Sequence, residues 1–544
     1  MEAGRKWRTL PDSAGGCDIV GMPFLGTASG GQSIPFLDYA LAPYVRKSYI
    51  KNWRHEVEEM LVYRNGWDEE EAKHKAEQMS VKYEPRFGRP YWPFEETFCV
   101  TKQAITQAAG RAEARTRDDT YQAMEALVHN LNTMNSRAGS QVPFSSVNYG
   151  TDTSPEGRLV TEMLLKATDA GLGEGETPIF PVQIFKIKDG VNYKPGDPNY
   201  DLFKLSIKVS AKRLYPNWNS LDAPFNLQYY KAGDPETEVS VMGCRTRVMG
   251  NVYDSTRETV SGRGNLSFTT VNLPQLGIEA KGDLDKFFAN LDEVLLLAHD
   301  QLLHRLSIQM ARRVRNYPFL MGEGIWMDSE NLGWDDQVGE ILLHGTLSIG
   351  FIGLAECLTA LIGKHHGEDA EARELGLRIV THMRHWLDRR SREEKRNWSL
   401  LATPAEALSG KFVAIDKKRY GEIKGVTDRE YYTNSFHVPV WYNITAAKKV
   451  DIEAPYHALC NAGHITYVEL DGDAARNLEA MESLVRYMHD KNLGYFAISH
   501  PVDRDPVCGY VGVINGVCPR CGRREGEAVS EEKLEALKKK YKLR

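Results

Sequence analysis

Residues 158–187 read RLVTEMLLKATDAGLGEGETPIFPVQIFKI. Arg158 to Ala170 is patterned as a helix that stops at Gly171 and Gly173, and Pro178 to Ile187 is an apolar extended run. A polar turn, a helix and a strand in succession mean an α/β chain. The alternation recurs downstream. Helices are expected for DKFFANLDEVLLLAHDQLLHRLSIQMARRV near Asp285 and for GFIGLAECLTALIG near Gly350, with strands near Leu266, Val438 and Ile465. Such a chain predicts a large closed or nearly closed barrel with its helices outside.

Working outward, residues 1–35 are rich in Gly, Ser and Pro and are expected to be an irregular segment. Residues 36–495 would form the barrel, and 496–544 a small cysteine-bearing tail with a C-terminal helix. The charged, aromatic stretch from Glu56 to about Glu96, which contains RFGRPYWPF, reads as peripheral, and Tyr121–Met134 as an amphipathic helix. Glu368–Arg396 is helical in pattern, with a charged side that reads as a solvated face. Ser530 could cap a last helix carrying Leu534, Leu537 and Tyr541 on one side.

The 544 residues suffice for one large domain or several, and 42% hydrophobic with 26% charged residues is the balance of a folded soluble chain. A formal charge of -6 with both signs interspersed offers no basic field for a nucleic-acid backbone, so no nucleic-acid partner is expected. No apolar run reaches about 18 residues, and the start, MEAGRKWRTLPDS, has no apolar signal stretch. A cytoplasmic location away from membranes is the expectation.

The eight cysteines (Cys17, Cys99, Cys244, Cys357, Cys460, Cys508, Cys518, Cys521) are too sparse for a disulfide scaffold and cluster only at the end. Metal or thiol chemistry follows. Cys244, in VMGCRTRV, is on composition alone either a buried structural thiol or a reactive one. In the tail, CPRC at Cys518–Cys521 is a tight turn able to present two thiolates to one metal, and the CGY knuckle adds Cys508.

Several long segments resemble the catalytic polypeptide of anaerobic, oxygen-sensitive ribonucleotide reductases of the glycyl-radical type. They are GGQSIPFLDYALAPYV from Gly30, GSQVPFSSVNYGTDTSPEGR from Gly139, KPGDPNYDLFKLSIKVSAKRLYP from Lys194, VMGCRT, GRGNLSFTTVNLP from Gly262, SLLATPAEAL, GVTDREYYTNSFH and APYHALCNAGHITYVEL. The resemblance spans roughly residues 30–525. It implies a ten-stranded α/β barrel around a finger loop, with Cys244 at the fingertip becoming a transient thiyl radical that removes the ribose C3′ hydrogen, after which the 2′-hydroxyl departs as water. Asn265 matches an asparagine that hydrogen-bonds the ribose; its other reading is a turn residue after Gly264. Ser399, Thr403, Asn434 and Ser435, with Glu406 and His437 in the same segments, would line the substrate pocket, although Thr403 and Asn434 could equally cap helices or turns. The family's zinc ribbon carries a second C-x-x-C pair. Here Asp505 stands three residues before Cys508, giving a Cys3Asp zinc site or a degenerate one.

The resemblance further implies ribonucleoside triphosphates as substrates, dNTP and ATP effectors, a homodimer, and activation by an iron-sulfur enzyme that uses S-adenosylmethionine to make a glycyl radical. A glycyl-radical motif of the form R-V-C-G-Y is not found after Cys521, and no ATP-cone segment precedes the barrel. The radical glycine would come from a complementing chain or from Gly509 in PVCGYVG. Neither Cys17 nor Cys99 sits in the context of the family's early barrel cysteine, which leaves the reductant, formate or a thiol redoxin, open. The expected function is thiyl-radical ribonucleotide reduction, possible as one part of a split enzyme; the alternative is a catalytically silent relative that binds nucleotide without turnover.

Overall fold

The computed structural model describes residues 31–541 except 90–99, 134–141, 143, 174, 502 and 506. Cys17, Cys99 and much of the 1–35 segment lie outside the described residues.

The long strands are β1 (Gln32–Ile34), β2 (Ser145–Tyr149), β3 (Val182–Ile187) and β4 (Asn217–Ser220). A small hairpin follows, β5 (Val241–Met242) and β6 (Thr246–Arg247), and then β7 (Asn265–Asn272), β8 (Thr346–Ile352), β9 (Asn397–Ala402), β10 (Thr466–Glu469) and β11 (Tyr495–Ser499). One sheet has the order β1-β2-β3-β4-β11-β10, and another has β7-β8-β9. The first four strands are parallel, β11 runs antiparallel to β4, and β7, β8 and β9 are parallel. The segment leading into β10 stitches the sheets together: Ala402 N–H donates to Gly463 O at 3.0 Å and Ala462 N–H to Leu400 O at 2.9 Å.

β2, β3, β8 and β9 are buried along their whole length, as parallel strands covered on both sides must be. Their side chains alternate between two environments. Val147, Tyr149, Phe185, Ile187, Trp218, Phe496 and Ile498 join the core formed with the covering helices. Val182, Ile184, Tyr495 and Ala497 instead pack with Val241 of the hairpin. Leu347, Ile349, Phe351, Trp398 and Leu400 build a separate core with the helices Leu284–Met310 and Ala370–Glu394. The inner face is where the hairpin sits.

The helix Pro155–Ala170 follows the local rules read from the sequence. Ser154 Oγ accepts the Gly157 N–H at 3.1 Å, Pro155 opens the first turn and Gly171 ends it. Elsewhere the structure corrects the sequence reading. Residues Glu56–Tyr83 are mostly helical, and Val57, Met60 and Leu61 lie in the core, so this part is not peripheral. The Tyr121–Met134 helix begins at Lys102, and of the GFIGLAECLTALIG stretch only Leu354–Ile362 is helix, because Gly350–Ile352 finishes β8. No strand forms at Val438: its N–H is taken by Glu453 Oε1 at 3.0 Å, and Pro439 has no N–H to offer a ladder. The expected strands at Leu266 and Ile465 are present as β7 and β10. β1 lies before residue 36 and β11 crosses 495, so the sheet reaches past both boundaries drawn from sequence.

Candidate functional site

Cys244 occupies the tip of the β5–β6 hairpin, flanked by Gly243 at φ +62. A side chain at 243 would meet Phe144 Cε1 at 2.7 Å, so both backbone and space call for glycine there. The ascending limb is held by polar side chains from the inner face of the sheet. Asn148 Oδ1 accepts the Val241 N–H at 2.9 Å while its Nδ2 donates to Val241 O at 3.0 Å. Ser33 Oγ donates to the same carbonyl at 2.9 Å, Ser146 Oγ accepts the Gly243 N–H at 3.0 Å, and Asn219 Nδ2 donates to Val239 O at 2.6 Å. At the root, the fully buried Lys186 ammonium pairs with Glu238 at 3.0 Å, and Thr151 Oγ1 donates to the same carboxylate at 2.7 Å.

The descending limb rests on the seam between the sheets. Arg247 N–H donates to Ala462 O at 2.8 Å, and a side chain at Gly463 would strike Arg245 O at 2.4 Å, which reserves that position for glycine. Cys244 is half-buried. Tyr215 and Tyr495 lie close enough to feel its charge; burial, then Tyr467, then Cys244 push the Tyr215 phenol up to about 12.

On the face of β8 and β9 turned away from the helices, Ser348 and Ser399 meet small hydroxylic and amide groups of the neighbouring strand. Asn265 Nδ2 donates to Thr346 Oγ1 at 3.0 Å and Ser348 Oγ at 2.5 Å, and Ser348 Oγ meets Ser399 Oγ at 2.9 Å. Asn265 and Ser399 are therefore joined through one intervening side chain. Thr403 follows β9 and meets Thr270 Oγ1 at 3.2 Å. Asn434 and Ser435 lie in a loop against the end of β8, where Gly353 N–H donates to Thr433 O at 2.8 Å and Leu354 N–H to Ser435 O at 3.2 Å. Ser435 holds φ +42, and its buried hydroxyl has no partner among the described residues. Asn434 is half-buried and uses its backbone carbonyl to close a turn with His437 N–H at 3.1 Å.

His437 is a residue whose part the sequence left unassigned. Its Nδ1 meets Glu453 Oε2 at 3.1 Å, and Thr466 Oγ1 donates to the same carboxylate at 2.8 Å. Burial works against the Glu453 charge, but Lys449 and His437 hold the carboxyl down at about 2. Asn148, Lys186, Glu238 and Asn219 were missed as well. For Asn148, Lys186 and Asn219 a signal was available: polar residues at alternate positions of short strands, in SSVNY, VQIFKI and NWNS.

In the tail, β12 (Asp503–Arg504) and β13 (Val511–Gly512) form a short antiparallel pair. The ligand atoms of Asp505, Cys508, Cys518 and Cys521 all lie within 4.8 Å of one another. Cys508 and Cys518 sulfurs are 3.5 Å apart, and Cys521 Sγ is 3.8 Å from Asp505 Oδ2. Tetrahedral zinc with Zn–S bonds of about 2.3 Å needs S–S edges of about 3.8 Å, so the donor set fits that ion. Asp505 Oδ1 also accepts the N–H groups of Val507 at 2.8 Å and Cys508 at 3.0 Å, while Arg523 Nε donates to Oδ2 at 2.9 Å. Burial opposes the Asp505 charge, but these bonds and Arg523 keep its carboxyl below the usual range.

No helix among the described residues is long and apolar enough to cross a membrane. The sequence profile of the anaerobic ribonucleoside-triphosphate reductase family matches residues 23–531. The chain is 36% identical over 435 residues to the anaerobic ribonucleoside-triphosphate reductase of Escherichia coli, an alignment covering 78% of this chain and 59% of the relative. The enzyme of Enterobacteria phage T4 is 35% identical, with 78% of this chain and 69% of that one aligned. In three dimensions the chain superposes on the anaerobic ribonucleotide reductase of Thermotoga maritima in complex with dATP and CTP with a TM-score of 0.59, covering 98% of this chain and 77% of that chain at 16% identity, a likeness of fold. The chain spans about three fifths of the length of the Escherichia coli relative. With its profile match running from before β1 to the last helix, the chain belongs to the anaerobic ribonucleoside-triphosphate reductase family.

Proposed function

We propose that this chain is the catalytic polypeptide for anaerobic reduction of ribonucleoside triphosphates to deoxyribonucleotides. The observation that carries the reading is the placement of Cys244 at the tip of a hairpin whose limb is clamped by Asn148, Ser146 and Asn219, in a fold where Asn265 and Ser399 are linked through Ser348. In this reading the Cys244 sulfur, as a thiyl radical, takes the hydrogen from ribose C3′, forming S–H and leaving a carbon radical. The Asn265 amide hydrogen-bonds the ribose hydroxyls, and Ser399, Thr403, Asn434 and Ser435 line the pocket. The 2′-hydroxyl leaves with a proton as water, an external reductant supplies two electrons and a proton, and Cys244 returns its hydrogen to C3′. Formate and a thiol redoxin are both chemically suited as that reductant.

The two sheets are read as halves of one ten-stranded barrel spanning about residues 32–499, the nine long strands described here being joined at Gly463. The tail from Pro501 is read as a ribbon in which Asp505, Cys508, Cys518 and Cys521 hold zinc. Bound zinc supplies a cross-link between the two knuckles, which a segment with so little apolar core otherwise lacks. Gly509 belongs to this knuckle, with φ +65 and its N–H on Asp505 O at 2.9 Å. That position counts against a glycyl radical on Gly509. Substrate and effector nucleotides are proposed by analogy with the relative that binds dATP and CTP, along with a homodimer, a cytoplasmic setting and a radical activase using S-adenosylmethionine.

The test is anaerobic incubation with an activase, S-adenosylmethionine, a reductant and a ribonucleoside triphosphate, with and without a polypeptide carrying R-V-C-G-Y. Cys244-dependent deoxynucleotide formation is expected, together with a glycyl doublet in the paramagnetic resonance spectrum that survives Gly509→Ala. Nucleotide binding without turnover, with every component proven on a complete homologue, would mark a silent relative instead.

A further inference from the structure

We infer that Arg245 and Arg247, on the return limb of the finger, form a buried oxyanion-binding site beside Cys244. Each is 4% exposed. Arg245 makes one side-chain hydrogen bond, from Nη1 to Ala402 O at 3.4 Å. Arg247 makes one, between Nη1 and His464 Nε2 at 3.4 Å, and its guanidinium lies 5.5 Å from the centre of the Phe225 ring. Among the described residues the Nε of each has no hydrogen-bond partner, and neither forms an ion pair with a carboxylate.

The other buried cations of this chain are treated differently. Lys186 has Glu238 at 3.0 Å. Arg213 donates to the carbonyls of Asp169, Ala170 and Gly175, and Arg263 to those of His344, Thr259 and Gly250. Arg245 and Arg247 alone in this comparison have neither a carboxylate nor a fan of carbonyls. Their titratable neighbours bring no negative charge: burial lowers the His437, His457 and His464 imidazoles, Arg384 adds positive charge, and burial raises the Tyr229 phenol and the Cys460 thiol. The Glu453 carboxylate, which acts on His437 and His457, is committed to His437, Lys449, Thr466 and the Val438 N–H.

A buried charge without a partner is strongly unfavourable, so the pair is built for a counter-charge that arrives from outside the chain. A planar guanidinium with an uncommitted Nε–H, as each of these two has among the described residues, suits an oxyanion with several acceptor oxygens, a phosphate or a carboxylate. That this oxyanion is a phosphate of the bound nucleotide rests on the proposed reductase reading; a free oxyanion does not.

Thermal unfolding of the full chain in inorganic phosphate and in chloride at matched ionic strength, and calorimetric titration with a ribonucleoside triphosphate and its nucleoside, separate these cases for wild type, Arg245→Gln and Arg247→Gln. A phosphate-specific rise in melting temperature lost in both variants would establish a free-oxyanion site. Triphosphate affinity falling at least about tenfold in the variants, with nucleoside affinity unchanged, would assign the site to the nucleotide's own phosphate. Variants that respond to both ligands as wild type does would overturn the inference. Should the glutamine forms not fold, Arg245→Lys keeps the charge and loses the fork, and unchanged affinity there counts against the site equally. Phosphate binding without any triphosphate binding would keep the site and remove the reductase reading.

Discussion

Replacing Asn148 by alanine should loosen the Cys244 hairpin without unfolding the chain. Asn148 is fully buried, and its amide meets both backbone groups of Val241. The alanine strips the acceptor from the Val241 N–H, whereas the Val241 carbonyl keeps Ser33 Oγ at 2.9 Å. One buried donor left without a partner costs about 1–3 kcal/mol. If that cost falls on the docked finger, opening becomes easier by about 2 kcal/mol, or about 30-fold in the opening equilibrium. Amide hydrogen exchange resolved by mass spectrometry reads this directly: peptides covering residues 238–248 should exchange about 30-fold faster, while β8 and β9 keep their rates. Alkylation of Cys244 should accelerate in parallel. Ser33→Ala, which leaves the amide clamp in place, should show a smaller effect. Finger exchange within about threefold of wild type, or an acceleration shared equally by β8 and β9, would refute the idea that this amide positions Cys244.

Three further outcomes follow from the same geometry. Lys186→Met leaves Glu238 buried without its ammonium, and should lower unfolding free energy in urea by about 3–5 kcal/mol; the double variant with Glu238→Gln should recover much of that loss, and no recovery would mean that the ion pair is not the cause. Asp505→Cys should slow zinc release to a chelator relative to wild type, followed with a metal-sensitive dye, and equal release rates would argue that Asp505 is not a ligand. Burial depresses His366 to about 4 and His457 to about 3, so as pH falls below about 6.5 the unfolded chain takes up those protons before the native one does. Their contribution is therefore fully present above about pH 6.5 and is lost toward pH 3, by at most about 1.4 kcal/mol per unit and group; His457→Gln should flatten the dependence of stability on pH between about 4 and 6, and an unchanged slope would exclude His457 as a contributor.

Where the chain obeys local rules, the sequence is informative. Ser154, Pro155 and Gly171 mark a helix by capping chemistry that acts within a few residues, and the structure has that helix between them. β7 and β10 were visible for the same reason, as apolar runs between breakers. Val438 shows the limit: its neighbours look like a strand, but its N–H is claimed by Glu453, fifteen residues away in a helix whose position no local pattern reveals. Glu56–Tyr83 failed in another way, since a helix whose charged residues mask its apolar stripe reads as surface until its packing partners are known. Of the site, Cys244 and the cysteine-rich tail could be picked out because their residue types are rare. The residues that hold the finger are ordinary Asn, Ser and Lys, and their importance depends on the strands that bring them to one face.

That inner face resolves a conflict in the fold. Parallel strands covered on both sides favour apolar residues throughout, yet Ser146, Asn148, Lys186 and Asn219 are buried in β2, β3 and β4. Apolar side chains there would bury more hydrocarbon, but they could not satisfy the Val239, Val241 and Gly243 backbone groups of a limb that runs along the inner face of the sheet and forms only a two-residue ladder of its own. Each polar side chain therefore substitutes for a ladder bond that a neighbouring strand would otherwise make, at a cost in core apolarity and with a gain in position. On the opposite side the inner face changes character, to Thr346, Ser348, Ser399 and Asn265 bonded mainly to one another. Groups bonded to each other can exchange those partners for a ligand's hydroxyls, whereas groups bonded to the finger backbone cannot without releasing it. On the proposed reading, the β1–β4 side holds Cys244 and the β7–β9 side receives what Cys244 acts on.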